Sequence, residues 1–309
     1  MLEDVQRWIK ETKYIRRIRL AHFDFRVWRR DPRDLPEFLV IGAQRSGTTF
    51  LHDKLVSETS AVCSPLQKEV HYFDNKYYRS KKWYRKFFEK IKTEEDGRVK
   101  NFETSPYYIY HPAVPKRVAE TLPDVKLVVV LRNPVERAIS HYKWMRQAGL
   151  ESRSATEAFQ SDARRLDLEK DPEYLRRFED PLYFDYEHIH ASYLRRSLYH
   201  IQLRRWLEWF EPSQIRVMSS NRLFGQPEQL LRELTAFLGL DYRRRSDAKT
   251  VNQNASQRNV QVSDYARAVA EQCLEGEQGK VHEVITDEMI LGGNTAGLDW
   301  NVLPAKGKD

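Results

Sequence analysis

Short apolar runs alternate with longer segments of helical spacing along the chain. Phe38–Ile41, Lys126–Leu131 and Gln214–Met218 have the length and composition of strands that are buried on both faces of a sheet. Between and after these runs the spacing predicts four helices: Thr48–Val56, Val135–Trp144, Leu194–Phe210 and Gln226–Leu238. Strands that alternate with helices in this way predict an α/β fold, in which helices cover both faces of a parallel sheet.

The domain organisation follows from what separates these elements. The 309 residues contain no Pro/Gly/Ser-rich linker and no internal repeat, so we expect one domain over residues 37–309 after a basic N-terminal extension, residues 1–36. The apolar residues of the extension have only partly helical spacing. Packing against its own domain is favoured, and binding to an anionic membrane surface is the alternative.

Composition narrows the function only slightly. The 52 Lys and Arg residues exceed the 45 Asp and Glu residues and give a net charge of +7, which weakly favours anionic ligands. Cys63 and Cys273 exclude a disulfide scaffold and lack metal-ligand spacing. The N-terminus is charged from its third residue, and nowhere do eighteen apolar residues run together. We therefore expect a cytoplasmic protein with no secretory signal and no membrane span.

The loop after the first predicted strand resembles a P-loop that lacks its lysine. Gly42 and Gly47 have P-loop spacing, but Thr48 occupies the lysine position and Arg45 lies three residues before it. Loop amides and a helix N-terminus favour a phosphate at this point, and Ser46 and neighbouring hydroxyls add donors. No apolar run ending in Asp follows, so magnesium-dependent hydrolysis of ATP or GTP is not expected. Taken alone, the loop could also be an ordinary strand-to-helix turn.

Two further segments carry candidate chemistry. Arg132 ends the second predicted strand, and Ser140 follows on the next helix, so both can reach the ligand-binding edge of the sheet. Arg137 on that helix is either a solvated charge or a ligand contact, and Tyr142 is equally ambiguous. The segment Lys68–Asp74 alternates polar and apolar residues like a half-buried strand edge, which would place Glu69 and His71 on the same side.

Three motifs together resemble the PAPS-dependent sulfotransferases, in the branch of the bacterial and heparan sulfate enzymes. They are IGAQRSGTTFLHDKL from Ile41, KEVHYFD from Lys68 and LVVVLRNPVERAISHY from Leu127, and the likeness covers about residues 37–240. The resemblance implies a P-loop-NTPase-like sheet, similar to that of nucleotide kinases, within a single sulfotransferase domain. It also implies 3′-phosphoadenosine 5′-phosphosulfate (PAPS) as donor and the bisphosphate PAP as product.

The resemblance also implies donor-binding residues. The first motif would hold the sulfated end of the donor through Gln44, Arg45, Ser46, Gly47, Thr48 and Thr49. Arg132 and Ser140 would bind the 3′-phosphate. Tyr199 would pack near the nucleotide, although a core position is equally open. Asn254, Ser256 and Arg258 fall in the family's late nucleotide-covering loop.

The implied catalytic residues are Glu69, His71 and Arg45. Glu69 would be the general base, His71 an orienting group or an alternative base, and Arg45 an electrostatic clamp, because arginine does not give up a proton. Most relatives have lysine at the position of Arg45. Relatives in the heparan branch have a second lysine, in contact with both donor and catalytic carboxylate, where Thr104 stands here.

The sequence therefore predicts transfer of a sulfuryl group from PAPS to a hydroxyl or amine. The acceptor would be a carbohydrate, a lipid or a small molecule, free or bound to a carrier protein; no metal and no nucleic acid are expected. The alternatives are a small-molecule kinase, and a non-enzymatic module that binds membranes through the N-terminal basic segment. Acceptor identity and oligomeric state stay open.

Overall fold

The computed structural model describes residues 27–59, 62–91, 99–242, 260–292, 298 and 300. Among these residues five parallel strands form one sheet in the order β2-β3-β1-β4-β5. The strands are β1 Phe38–Gly42, β2 Val62–Cys63, β3 Lys100–Thr104, β4 Lys126–Leu131 and β5 Ile215–Ser219. The predicted α/β class with a parallel sheet is confirmed.

Helices connect and cover the strands in the described part of the chain. Their bounds are α1 Thr48–Glu58, α2 Lys81–Arg85, α3 Val114–Thr121, α4 Pro134–Gln147, α5 Ala155–Ala163, α6 Pro172–Arg176, α7 Tyr186–His190, α8 Tyr199–Leu207, α9 Ser220–Gly225, α10 Pro227–Leu238, α11 Asp264–Cys273 and α12 Glu277–His282. Within the described residues, none of these helices combines the length and the apolar character that a bilayer crossing requires.

The helix predicted over Leu194–Phe210 is shorter in the structure than the spacing of its apolar residues indicates. A single 3₁₀ turn, Arg195–Ser197, precedes α8, which begins only at Tyr199. The buried carboxylate of Asp162 accepts hydrogen bonds from the amides of Leu194 and Arg195 at 2.6 and 3.1 Å. These amides therefore bond to a side chain at the point where the predicted helix would begin.

Alternate residues of the central strands face two separate apolar layers. Leu39, Ile41, Leu127 and Val129 pack into one layer. Phe38, Val40, Val128 and Val130 pack into the other. Both sheet faces are therefore covered by helices, as the continuous apolar runs predict.

The pairing of β1 with β4 positions the candidate site. Gly42 lies opposite Val129, and the amide of Ala43 donates to the carbonyl of Val130 at 2.7 Å. The loop after β1 and the residues after β4 therefore leave the sheet side by side, at the carboxyl edge where α/β proteins bind ligands.

Candidate active site

The loop after β1 is held in a conformation that few residues adopt. Arg45 has φ of 69° and Gly47 has φ of 102°, both in the left-handed region that favours glycine. A Cβ atom on Gly47 would lie 2.9 Å from Cζ of Phe224. Gly47 is thus required both by its backbone angle and by the close approach of α9.

The first turn of α1 presents its backbone donors at this loop. Gly47 precedes the helix and offers no side-chain cap, so the first amides have no capping acceptor. The buried hydroxyl of Ser46 has no hydrogen-bond partner among the described residues. The nearby Tyr199 phenol donates instead to the Arg132 carbonyl, at 3.1 Å. Uncapped amides and an unpartnered hydroxyl together form a site that suits an anion.

Two guanidinium groups and a helix hydroxyl meet beside the loop. Arg45 Nε donates to Ser140 Oγ at 3.3 Å, and Arg132 Nη1 donates to the Arg45 carbonyl at 3.4 Å. Burial, and then the charge of Arg132, lower the pKa of Arg45. A bound anion would offset this repulsion between like charges. The structure therefore brings Arg45, Arg132 and Ser140 together.

Gln44 and Tyr199 each have a hydrogen-bond partner next to the loop. Gln44 Oε1 accepts a hydrogen bond from Arg196. The Arg196 guanidinium is buried, lies 4.7 Å from the ring centre of Tyr107 and donates to the carbonyl of Ile189 at 2.6 Å. Tyr199 is fully buried. Gln44 and Tyr199, which are both predicted to contact the donor, thus each bond to a protein group in the described residues. Tyr199 occupies a core position.

Arg137 and Tyr142 lie in the core next to the site. Arg137 is fully buried, and its Nε donates to Ser197 Oγ at 2.7 Å. Burial lowers the pKa of Arg137 to about 10. Tyr142 is also buried and donates to the Arg153 carbonyl at 3.0 Å. The expectation of a solvated charge at Arg137 is therefore wrong, since packing of α4 against Ser197 buries its guanidinium.

The segment Lys68–Asp74 is not the extended strand edge that its alternation predicts. Glu69 and His71 have φ of 60° and 58°, so two left-handed residues coil the chain. The Glu69 amide donates to the Thr104 carbonyl at 3.0 Å, which fixes the coil against the end of β3. The two side chains nevertheless meet, with His71 Nε2 3.4 Å from Glu69 Oε2. The kinked backbone, rather than strand alternation, brings them together.

A buried carboxylate keeps His71 protonated. Asp74 has a fully buried side chain, and its Oδ2 lies 2.7 Å from His71 Nδ1. Burial opposes protonation, but the charge and hydrogen bond of Asp74, and then those of Glu69, raise the pKa of His71 to about 10. His71 is therefore an imidazolium at neutral pH, with one N–H toward each carboxylate.

Glu69 keeps its negative charge in this setting. Burial raises the pKa of Glu69, but the hydrogen bond from His71 and the charge of Lys68 outweigh it, so the pKa is lowered overall. The Glu69 side chain remains 40% exposed. The arrangement provides an ionised carboxylate that solvent and ligands can reach, fixed from one side by a buried ion pair.

Comparison with known proteins identifies the family of the chain. Residues 35–287 match the sulfotransferase domain family. The chain belongs to this family. Heparan sulfate glucosamine 3-O-sulfotransferase 6 of Homo sapiens is 31% identical over 212 residues, 67% of this chain and 53% of that protein. The membrane-associated sulfotransferase kil1 of Dictyostelium discoideum is 28% identical over 272 residues, 67% of this chain and 57% of that protein.

Two further comparisons extend the coverage. Heparan sulfate glucosamine 3-O-sulfotransferase 5 of Homo sapiens is 26% identical over 265 residues, 84% of this chain and 68% of that protein. The crystal structure of a sulfotransferase from Alicyclobacillus acidocaldarius has a TM-score of 0.61 at 23% identity, over 82% of this chain and 96% of that one. The solved structure supports the fold. The chain spans little more than half the length of two of these relatives, kil1 and 3-O-sulfotransferase 6.

A set of buried hydrogen bonds fixes the segment Lys68–Asp74 from the side of β3. Glu103 on β3 is fully buried and accepts hydrogen bonds from Ser105 at 2.6 Å and Tyr108 at 2.7 Å. The Tyr108 hydroxyl in turn accepts from the Tyr72 amide at 2.8 Å. Burial raises the pKa of Glu103. This network ties the coil that carries His71 to the end of β3.

The Thr104 side chain bonds to a histidine. His52 Nδ1 lies 3.1 Å from Thr104 Oγ1, and Ser64 Oγ lies 3.3 Å from His52 Nε2. Burial, and then the charge of Lys68, lower the pKa of His52 to about 4. His52 is therefore neutral at pH 7, and no positive charge stands at this position.

Sequence reasoning missed three residues of the site and could not place others. Lys68 and Asp74 lie in the motif KEVHYFD, and Arg196 lies in the predicted helix Leu194–Phe210, but none was given a role. The available signals were an acid three residues after His71 and an arginine among apolar residues. The predicted contacts Asn254, Ser256 and Arg258 lie outside the described residues. Most of the N-terminal extension, residues 1–26, also lies outside them.

Proposed function

We propose that this sulfotransferase domain transfers a sulfuryl group from PAPS to an acceptor hydroxyl or amine. The observation that carries the proposal is the meeting of Arg45, Arg132 and Ser140 beside an uncapped helix N-terminus. PAPS fits the residues present. The unpartnered Ser46 hydroxyl and the two adjacent guanidinium groups suit a ligand with several anionic oxygens.

The donor-binding roles divide between two parts of the site. Ser46, Gly47, Thr48 and Thr49 at the start of α1, together with Arg45, would hold the phosphosulfate. Arg132 and Ser140, at the edge next to the loop, would hold the 3′-phosphate. When bound, PAPS would supply the activated sulfuryl group, and the positive charge of Arg45 would stabilise the charge that develops on the departing 5′-phosphate.

Glu69 is the group suited to take the acceptor's proton. It is ionised and partly exposed, whereas His71 already carries a proton on each nitrogen up to about pH 10. As the acceptor oxygen forms its bond to sulfur, its proton passes to the Glu69 carboxylate. The bond between sulfur and the departing phosphate oxygen breaks, and that oxygen keeps the electron pair. His71, held by Asp74, orients the carboxylate throughout.

The kinase alternative has less support. Thr48 occupies the P-loop lysine position and is buried at the start of α1, so a lysine that would reach a γ-phosphate is missing there. The membrane-binding alternative depends mainly on residues 1–26, outside the described residues. Both the cytoplasmic location and a membrane-surface contact of this basic extension stay predictions.

Three kinds of acceptor fit the proposal: a carbohydrate, a lipid, or a small molecule that is free or bound to a carrier protein. Several relatives are named for heparan sulfate and another for membrane association. The resemblance implies a lysine at the position of Thr104 in the heparan-branch relatives, and its absence here weakens assignment to heparan sulfate, so the proposal includes other glycans.

Turnover of the two candidate donors tests the proposal. Purified protein is incubated with PAPS or with ATP and a panel of glycan, lipid and small-molecule alcohols, and the released nucleotide is identified by chromatography. We expect acceptor-dependent formation of PAP and none of ADP. Acceptor-dependent ADP without PAP would establish the kinase instead. Glu69→Gln serves as the matched control for non-enzymatic breakdown of PAPS.

A further inference from the structure

Lys68 joins the two halves of the proposed active site. Its Nζ donates to Thr49 Oγ1 at 2.7 Å and lies 3.4 Å from Glu69 Oε1. Thr49 belongs to the first turn of α1, where the donor's sulfated end would bind, and Glu69 is the proposed base. One ammonium group therefore contacts the donor loop and the catalytic carboxylate at once.

The groups at the end of β3 supply no positive charge to the loop. Arg45 points away toward Ser140. Thr104 and its partner His52 are neutral at pH 7. In the heparan-branch relatives, the resemblance implies a lysine at the Thr104 position with contacts to both donor and carboxylate. In this chain Lys68 makes the corresponding pair of contacts, to Thr49 and to Glu69. Lys68 lies on the coil whose next residue, Glu69, bonds to Thr104 at the end of β3.

The geometry of the ammonium group allows a third partner. A lysine ammonium has three N–H donors, and the two contacts to Thr49 and Glu69 account for two of them. The Lys68 side chain is 22% exposed, so a ligand can reach it. An anionic oxygen at the start of α1 could accept the remaining hydrogen bond.

We propose that Lys68 is a catalytic residue, which contacts the phosphosulfate end of the donor and holds the Glu69 carboxylate beside it. The inference rests on the proposed function. On donor binding the ammonium neutralises part of the phosphosulfate charge, and its contact with Glu69 keeps the carboxylate ionised and close to the sulfur. Arg45 supplies a fixed charge on the loop, and Lys68 supplies one between the donor and the base.

Substitution of Lys68 separates this role from a structural one. Lys68→Met removes the charge and keeps most of the apolar stem, Lys68→Arg keeps the charge, and Lys82→Met controls for loss of an exposed lysine on α2. PAP affinity is measured by calorimetry, and the pH dependence of kcat/KM is measured with an acceptor found in the turnover assay. Thermal melting confirms that each variant is folded, and Lys68→Gln serves as the second neutral variant.

We expect Lys68→Met to bind PAP about tenfold to 100-fold more weakly, the range typical of a lost charge-assisted hydrogen bond. The acid limb of kcat/KM should move to higher pH, because the carboxylate of Glu69 loses a neighbouring positive charge. Lys68→Arg should retain affinity within a few-fold, and Lys82→Met should match the wild type.

The outcomes distinguish this inference from the proposed function. A wild-type protein that binds no PAP and forms none overturns both. A wild-type protein that does bind PAP, with Lys68→Met and Lys68→Gln unchanged in affinity and in the acid limb, overturns the role of Lys68 alone.

Discussion

Replacement of Asp74 by asparagine should discharge His71 at neutral pH. The Asp74 carboxylate is buried 2.7 Å from His71 Nδ1 and is the larger of the two carboxylate influences that raise the pKa of His71. Asp74→Asn keeps the shape and one oxygen acceptor but removes the charge. The imidazole then keeps a single proton, so it can no longer donate both to residue 74 and to Glu69 as it does in the wild type.

The expected shift is large. The pKa of His71 is raised from 6.5 to about 10, and a difference of about 3.5 units corresponds to about 5 kcal/mol in favour of the protonated ring. Coulomb's law at 2.7 Å, with an effective dielectric constant of about 20, gives about 6 kcal/mol for the contact with Asp74. The two figures agree in order of magnitude. We therefore expect Asp74→Asn to lower the pKa of His71 by about 3–4 units, so that the ring loses its second proton around neutral pH.

Titration of the histidine ring signals by NMR measures this shift directly. The chain has nine histidines, and a His71→Gln spectrum identifies the signal of interest. Asp124→Asn, at an exposed position before β4, is the matched control and should leave the titration unchanged. A wild-type His71 that titrates near its ordinary value, or one whose pKa is the same in Asp74→Asn, would refute the ion pair.

The same pair makes a signed prediction about stability. The raised pKa of His71 stabilises the fold fully below about 6.5 and ever less as pH rises to about 10. Burial raises the pKa of Asp74, but the charge and hydrogen bond of His71 outweigh burial and lower this pKa overall. The lowered pKa stabilises the fold only above the ordinary Asp value of 3.8. The advantage of the wild type over Asp74→Asn in urea unfolding should thus be greatest between about pH 4 and 6.5. An advantage that grows toward pH 10 would contradict this reasoning.

Two other substitutions test the loop and the base. Gly47→Ala should destabilise the fold by about 1–3 kcal/mol, because of the positive φ and the contact with Phe224; Gly225→Ala, whose Cβ would meet nothing within 4 Å, is the control, and equal urea midpoints for the two variants would contradict the strain. Glu69→Gln should lower kcat by about 10²–10⁴-fold while PAP affinity changes little; retention of kcat would exclude Glu69 as the base.

The elements that the sequence predicted are those with continuous apolar runs. β1, β4 and β5 bury alternate residues in two layers, so their composition alone indicated them. β3 was not predicted, because its buried residues include Asn101 and Glu103, whose polar groups bond to other side chains and to backbone. Some of the partners, such as Asp34 for Asn101 and Tyr84 for Glu103, lie in other segments of the chain and leave no local pattern.

The candidate site divides in the same way. The meeting of Arg45, Arg132 and Ser140 follows from where each stands relative to a strand end, and strand ends could be read from the sequence. The contact between Glu69 and His71 was predicted for a wrong reason, since two left-handed residues rather than an extended strand produce it. Roles for Lys68 and Asp74 could not be predicted from the sequence, because they depend on the coil. The coil places Lys68 against α1 and Asp74 against His71.

Calorimetric titration with PAP and with adenosine 5′-phosphate tests the central claim most directly. The two ligands differ only in the 3′-phosphate, which Arg132 and Ser140 are proposed to bind. We expect the wild type to bind PAP more tightly than adenosine 5′-phosphate. Arg45→Ala should weaken both ligands by about tenfold to 100-fold, and Ser140→Ala should narrow the difference between them. No heat with PAP, or equal affinity for the two nucleotides, would contradict the proposed donor site.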